Sequence, residues 1–333
     1  MKASTNSTQL CKVYSDYFPI GTAVNSRTIH SHKQLIIQQY NSITAENEMK
    51  PESFFSAERE YQFEVADEIV DFAMEHHMKV RGHTLVWHNQ TPNWFFEDQS
   101  GEALGASKLQ NRMANHIQKV VDHFKGKVYC WDVVNEAVSD NENEHLRPSK
   151  WLTQLGPDFI ADAFRFAHQA DPQALLFYND YNEVQAVKRD KIYRLVEGLL
   201  QQQVPIHGIG MQGHWNIQNP TVDEMRDAIE LYASLGVQVQ ITELDVSIYP
   251  WDDKRTESKE LDDEVNRQLE TRYQEVFQLL REYSKVISSV TFWGPADDAT
   301  WLDHFPVRNR KNYPMLFDVN HQPKPAFWKT VQF

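Results

Sequence analysis

Residues 206–246 read IHGIGMQGHWNIQNPTVDEMRDAIELYASLGVQVQITELDV, and this stretch decides the fold. A β-rich run, Ile206 to Trp215, is followed by a helical segment, Thr221 to Leu235, and then by a second β-rich run, Gln238 to Val246. Gly236 marks the stop between helix and strand. Strands joined through a helix belong side by side in a parallel sheet that helices cover. The same alternation extends in both directions. Before this unit lie Phe18 to Asn25, Ser42 to Glu48, Lys79 to His88, Val128 to Glu136 and Ala174 to Asn182, and after it lies Val286 to Trp293, which makes eight β-rich runs in all. Between them apolar residues recur at a spacing near 3.6, as in Val65, Ile69, Phe72 and Ala73 or Ile192, Leu195, Val196 and Leu199. Asp171-Pro172 closes another of these helices. Eight β/α units in 333 residues, with no linker, repeat or low-complexity segment, predict an α/β protein with one (β/α)₈ TIM barrel domain over residues 1–333. The charged stretch Trp251 to Arg272 reads as a solvated loop leading into a helix that ends near Tyr283.

Composition narrows the function. A chain that is 41% hydrophobic and 24% charged is ordinary globular material. Apolar runs such as Gln34 to Tyr40 are far shorter than the roughly 20 residues a bilayer needs, so no membrane is expected as a partner. A net charge of −14 without a basic stripe repels phosphate backbones, so nucleic acid is not expected either, and a neutral substrate fits better. Cys11 and Cys130 are too few for a disulfide framework, and Cys130 reads as a buried thiol. The first residues, MKASTNSTQLCKVYSDYF, contain no apolar stretch of secretory type, which leads to the expectation of a cytoplasmic enzyme without a signal peptide.

In such a barrel the active site forms where strands end and βα loops begin. Here those ends are polar or aromatic. They carry Glu46, Asn47, Glu48 and Lys50; His83, Trp87 and His88; Asn135 and Glu136; Asn179 through Asn182; Gln212 through Trp215; Glu243 and Asp245; and Trp293. Sugars need this mixture, since their hydroxyls take directional hydrogen bonds while their C–H faces pack on indole rings. Glu136 and Glu243 follow apolar runs and are expected to project from opposite sides of the barrel mouth. Two opposed carboxyl groups suit glycosidic cleavage, with retention or inversion decided by their separation. Taken singly, an Asn-Glu pair at a strand end also fits a loop-anchoring role.

The segments SITAENEMKP (42–51), RGHTLVWHNQTPNW (81–94), WDVVNEA (131–137), LFYNDYN (176–182), HGIGMQGHW (207–215), ITELDV (241–246) and WGPADDATW (293–301) occur in this order. Together they resemble the xylanases of glycoside hydrolase family 10. The resemblance implies an endo-acting β-1,4-xylan hydrolase with net retention, whose substrate is xylan or xylo-oligosaccharide. It implies Glu136 as acid/base and Glu243 as nucleophile, Asn135 on the sugar 2-hydroxyl, and His214 beside the nucleophile with Asp245 fixing the imidazole tautomer. It further implies Glu46, Asn47, Lys50, His83, Trp87, Gln212, Trp293 and Trp301 on the glycone side and Tyr181 on the aglycone side. Trp131 reads as core.

Two other readings fit less well. A barrel metallohydrolase would use His83, His88 and His214, but His83 and His88 are five residues apart rather than in a His-x-His pair, so no metal or cofactor is expected in the site. A silent carbohydrate-binding barrel would lack one of the two glutamates, and both are present.

Overall fold

The computed structural model describes residues 8–57 and 59–333. Residues 1–7, on which the expectation of no signal peptide partly rests, lie outside the described residues. The strands are β1 (Ile20–Val24), β2 (Ser42–Ala45), β3 (Lys79–Trp87), β4 (Val128–Asn135), β5 (Leu175–Asp180), β6 (Gly208–Met211), β7 (His214–Asn216), β8 (Gln238–Ser247) and β9 (Ile287–Phe292). All are parallel, in the order β6-β5-β4-β3-β2-β1-β9-β8, and the ring closes through the β6–β8 pair. The short β7 pairs with the end of β8 and continues the path of β6. The result is a closed (β/α)₈ TIM barrel.

Each of the eight expected runs contains a strand, and the sixth is broken in two. Gly213 causes the break: its φ is +76°, and a Cβ there would lie 2.9 Å from Ile241 Cγ2. Only glycine tolerates that combination of left-handed backbone and close packing. The helices follow their periodicity with one exception: Val65, expected on the buried face, is 50% exposed. Glu64–Glu75 buries Ala66, Ile69, Val70, Phe72 and Ala73 against the sheet. Val222–Ala233 begins at Thr221, whose hydroxyl and the Glu224 carboxylate cap each other's backbone N–H groups. The charged stretch leads into the helix Asp263–Glu282, capped by Asp262. Cys130 is fully buried, and Trp131 packs so closely on Gly82 that a Cβ there would sit 2.1 Å from the indole. Among the described residues no helix is long and apolar enough to cross a membrane.

The barrel interior is more polar than periodicity suggests. Arg81 and Asp132 lie inside it at 1% and 0% exposure, joined by two hydrogen bonds of 2.7 and 3.2 Å. Gln240 accepts from Arg81 Nε at 2.7 Å, and His83 Nδ1 lies 2.9 Å from Asp132. The attraction of Asp132 and its neighbours for the guanidinium outweighs burial and keeps Arg81 charged. This network lies inside the strands and fixes the ring of His83.

Candidate active site

Glu136 directly follows β4, Glu243 lies within the C-terminal half of β8, and the two carboxylates are surrounded by different donors. Glu243 is 5% exposed. Its Oε2 lies 3.2 Å from His214 Nε2, and its Oε1 accepts from Asn179 Nδ2 at 2.9 Å. Burial alone would raise its pKa, but the hydrogen bond from His214 and the charge of nearby imidazoles outweigh it, so Glu243 lies below the ordinary carboxylate value. His214 is itself pinned between two carboxylates, with Nδ1 3.0 Å from Asp245 Oδ2. Burial works against its charge, yet Asp245 and Glu243 together raise its pKa to about 10. Asp245 fixes the ring through Nδ1, and with a carboxylate at each ring nitrogen His214 is held toward its doubly protonated form. Trp301 donates its indole N–H to the same Asp245 oxygen at 2.8 Å.

Glu136 is half-buried and receives only neutral donors, Trp87 Nε1 at 2.9 Å and Gln212 Nε2 at 2.9 Å. Its backbone is left-handed, with φ +56°, an uncommon conformation for a non-glycine residue and one that concentrates at functional sites. The Glu136 carbonyl is held by Arg147 Nε at 2.9 Å, and its N–H donates to the Asn179 carbonyl at 2.8 Å.

Between β4 and β8 lie β5 and β6 on one side of the ring and β3, β2, β1 and β9 on the other, so the strands that carry the two glutamates stand one step short of diametrically opposite. The shorter arc is filled by side chains from the intervening elements. Gln212 Nε2 reaches both Glu136 and, at 3.4 Å, Asn135 Oδ1; Asn179 Nδ2 reaches both Asn135 Oδ1, at 3.0 Å, and Glu243. A continuous hydrogen-bonded chain thus runs from one carboxylate to the other through Gln212, Asn135 and Asn179. Asn135 Oδ1 accepts twice, which turns Nδ2 away, and this buried donor has no partner among the described residues. It is free for an acceptor from outside the chain.

The remaining expected residues surround this pair. Lys50 is 7% exposed, donates to Asn47 Oδ1 at 3.0 Å and lies 5.1 Å from the Trp87 ring. Burial lowers its pKa, with Glu243, Glu46 and Glu136 opposing the shift, so the ammonium shares one field with all three carboxylates. Glu46 accepts from Asn25 Nδ2 at 3.0 Å. His83 contacts Trp293 edge-on at 5.5 Å and Trp87 at 6.3 Å between ring centroids. Trp301 is half-buried and stacks on Phe305 at 5.1 Å. Tyr181 stands apart from this group: its hydroxyl meets Asp140 and accepts from Arg147 at 2.8 Å, while Lys188 Nζ lies 3.8 Å from its ring centre. Among the described residues, Arg147 joins it to the carbonyl of Glu136.

Asn179, Thr242 and Trp251 take part without having been assigned roles from sequence. Thr242 donates to Asn179 Oδ1 at 2.7 Å and so orients the amide toward Glu243. Gly210 permits this crossing, since a Cβ there would lie 2.2 Å from Asn179 Oδ1. Trp251, half-buried, donates to the His214 carbonyl at 3.3 Å and neighbours Trp301. Asn179 and Thr242 lie inside LFYNDYN and ITELDV, so position was legible and role was not. Trp251 and the adjacent Asn182, Glu183, Asn216 and Asp252 line a cavity of about 360 Å³ that His214 also borders.

Glu183 in that wall is 1% exposed and accepts from Trp215 Nε1 at 3.0 Å and the Gly213 N–H at 3.3 Å. Burial raises its pKa to about 7 against the pull of these donors and of His214. The folded value exceeds the unfolded one, so the stabilisation is complete below the unfolded pKa and is lost as pH rises through about 7. Between pH 5 and 8 wild type should therefore lose roughly 2–3 kcal/mol relative to Glu183→Gln in urea unfolding. Parallel pH curves for the two proteins would contradict this.

The family model for Glycosyl hydrolase family 10 matches residues 9–333. The chain is 53% identical over 328 residues to "Endo-1,4-beta-xylanase B" of Paenibacillus barcinonensis, covering 98% of this chain and 99% of that protein. It is 54% identical over 323 residues to the "Endo-1,4-beta-xylanase" of Geobacillus stearothermophilus, covering 97% of each. It superimposes with a TM-score of 0.96, at 53% identity and with 98% and 99% of the two chains covered, on the crystal structure of the Paenibacillus barcinonensis xylanase complexed with a conduramine derivative.

Proposed function

The chain belongs to glycosyl hydrolase family 10, and from that premise we propose that it is an endo-β-1,4-xylanase that cleaves xylan and xylo-oligosaccharides by double displacement with net retention. The observation that carries the mechanism is the unequal treatment of the two glutamates. Glu243 is held as an anion by an imidazolium and an amide, whereas Glu136 meets only neutral donors. An ionised, oriented carboxylate is equipped to attack, and a carboxyl group whose hydrogen-bond donors are neutral is equipped to carry a proton.

In the first step Glu136 gives its proton to the glycosidic oxygen as the C1–O bond breaks, and a Glu243 oxygen forms an ester to C1 from the opposite face. In the second, the Glu136 carboxylate takes a proton from water, whose oxygen attacks C1 as the ester breaks. Asn135 Nδ2 donates to the 2-hydroxyl, a contact that strengthens as positive charge grows at C1. Glu46, Asn47, Lys50 and His83 hold glycone-side hydroxyls, Trp87, Trp293 and Trp301 wall that side, and Tyr181 supports the leaving portion. NMR of the first-formed product tests the stereochemistry: β-configured product is expected, and α-configured product would refute retention.

The indole wall also predicts sugar preference. Glucose carries an exocyclic CH₂OH that xylose lacks, and rigid rings leave it no room. A clash against the wrong sugar discriminates as well as a contact to the right one. Aryl xylobioside should exceed aryl cellobioside in kcat/KM by about 10–200-fold, the range for one small group in a tight pocket. Equal values would sink the assignment of the three tryptophans.

A further inference from the structure

A second cluster of ligating side chains lies outside the hydrogen-bonded network of the carboxylate pair. His32 follows β1, at the junction of the helices Thr28–Ser31 and Lys33–Gln39. Asp298 lies in the turn Asp297–Ala299 that follows β9. His321 lies between Phe317 and Pro323, which form an antiparallel bridge. Because β1 pairs with β9, the three residues meet at the seam between the first and last strands of the barrel.

Their geometry is that of a coordination site. One ligand atom from each residue lies within 4.8 Å of the other two. His32 Nε2 is 3.0 Å and His321 Nε2 is 3.7 Å from the same oxygen, Asp298 Oδ1. A tetrahedral Zn²⁺ with bonds of about 2.0–2.1 Å sets its ligands roughly 3.4 Å apart, between these two distances. The imidazoles face each other at 4.2 Å between centroids, both directed at one carboxylate. Ser31 Oγ lies 2.8 Å from His32 Nδ1, an outer contact that leaves Nε2 as the ligating nitrogen. His32 is 3% exposed, so its ring is held in place by packing.

We propose that His32, Asp298 and His321 bind one divalent transition metal of zinc type, which clamps the barrel seam. Two imidazoles and one carboxylate select a borderline cation over Mg²⁺ or Ca²⁺, which want oxygen ligands. Asp298 and His321 are 38% and 31% exposed, so the ion can enter and water can fill the fourth position. The role is structural. A metal bound only by the folded chain stabilises it by mass action, and this one ties the first βα connection to the C-terminal segment.

The test uses untagged, chelator-treated protein. Equilibrium dialysis should give one tight equivalent of Zn²⁺, Co²⁺ should show the visible bands of a tetrahedral site, and Tm should rise by about 3–5 °C at a hundredfold excess over Kd. EDTA should reverse the rise. His321→Ala and Asp298→Asn, both at partly exposed positions, should retain the metal-free Tm and lose the equivalent, the Co²⁺ bands and the rise. Absence of a bound equivalent in wild type, or an undiminished equivalent in these two variants, would overturn the proposal.

Discussion

Glu243→Ala should lose on the order of 10⁵-fold in kcat on xylan and on aryl xylosides alike, because no other group in the site can form the bond to C1. Its neighbours make the loss specific. His214 and Asn179 would remain aimed at the vacated space, so a small anion can enter where the carboxylate stood. Azide should therefore restore turnover of an activated aryl xyloside and give the α-xylosyl azide by direct attack from that face. Recovery of the β-azide from this variant would mean that the nucleophile is another residue.

Glu136→Ala should fail in a different way. Substrates that need a protonated leaving group should slow by about 10²–10⁴-fold. Aryl substrates with good leaving groups should still form the glycosyl-enzyme, since Glu243 and its donors are untouched, and this intermediate should accumulate. Azide then attacks it from the opposite face and yields the β-azide. If this variant gave the α-azide, or lost the first step on activated substrates as well, the two roles would have to be exchanged.

Much of this site was legible in the sequence, for a physical reason. Barrel strands are mostly apolar over their first residues, so a Glu, Asn, His or Trp that follows such a run lies toward the mouth whatever the loops do. That logic located Glu136, Glu243, His214, Trp87 and Gln212, and it gave all eight strands. It could not show what each side chain touches. Asn179 was read as one polar strand end among several, and only the packing of β5 between β4 and β8 makes it the bridge between Asn135 and Glu243. The arc that separates the two glutamates, with β5 and β6 on its shorter side, depends on ring closure through the β6–β8 pair. The Arg81–Asp132 pair was hidden because both residues fall inside runs whose apolar neighbours set the pattern. The protonation of His214 needed the second carboxylate at 3.0 Å, a distance no spacing of residues reveals.

Closure between β1 and β9 has a consequence during synthesis. Ile20 finds its partner, Val290, 270 positions later. At about 5–20 residues per second the first strand waits roughly 14–54 s on the ribosome before the last one is made. For that interval β1 presents an open edge of backbone N–H and C=O groups, the surface on which chains add to one another. A nascent chain that meets its neighbour on a crowded polysome is thus most exposed to misassembly at the strand it makes first, and slower translation lengthens the exposure.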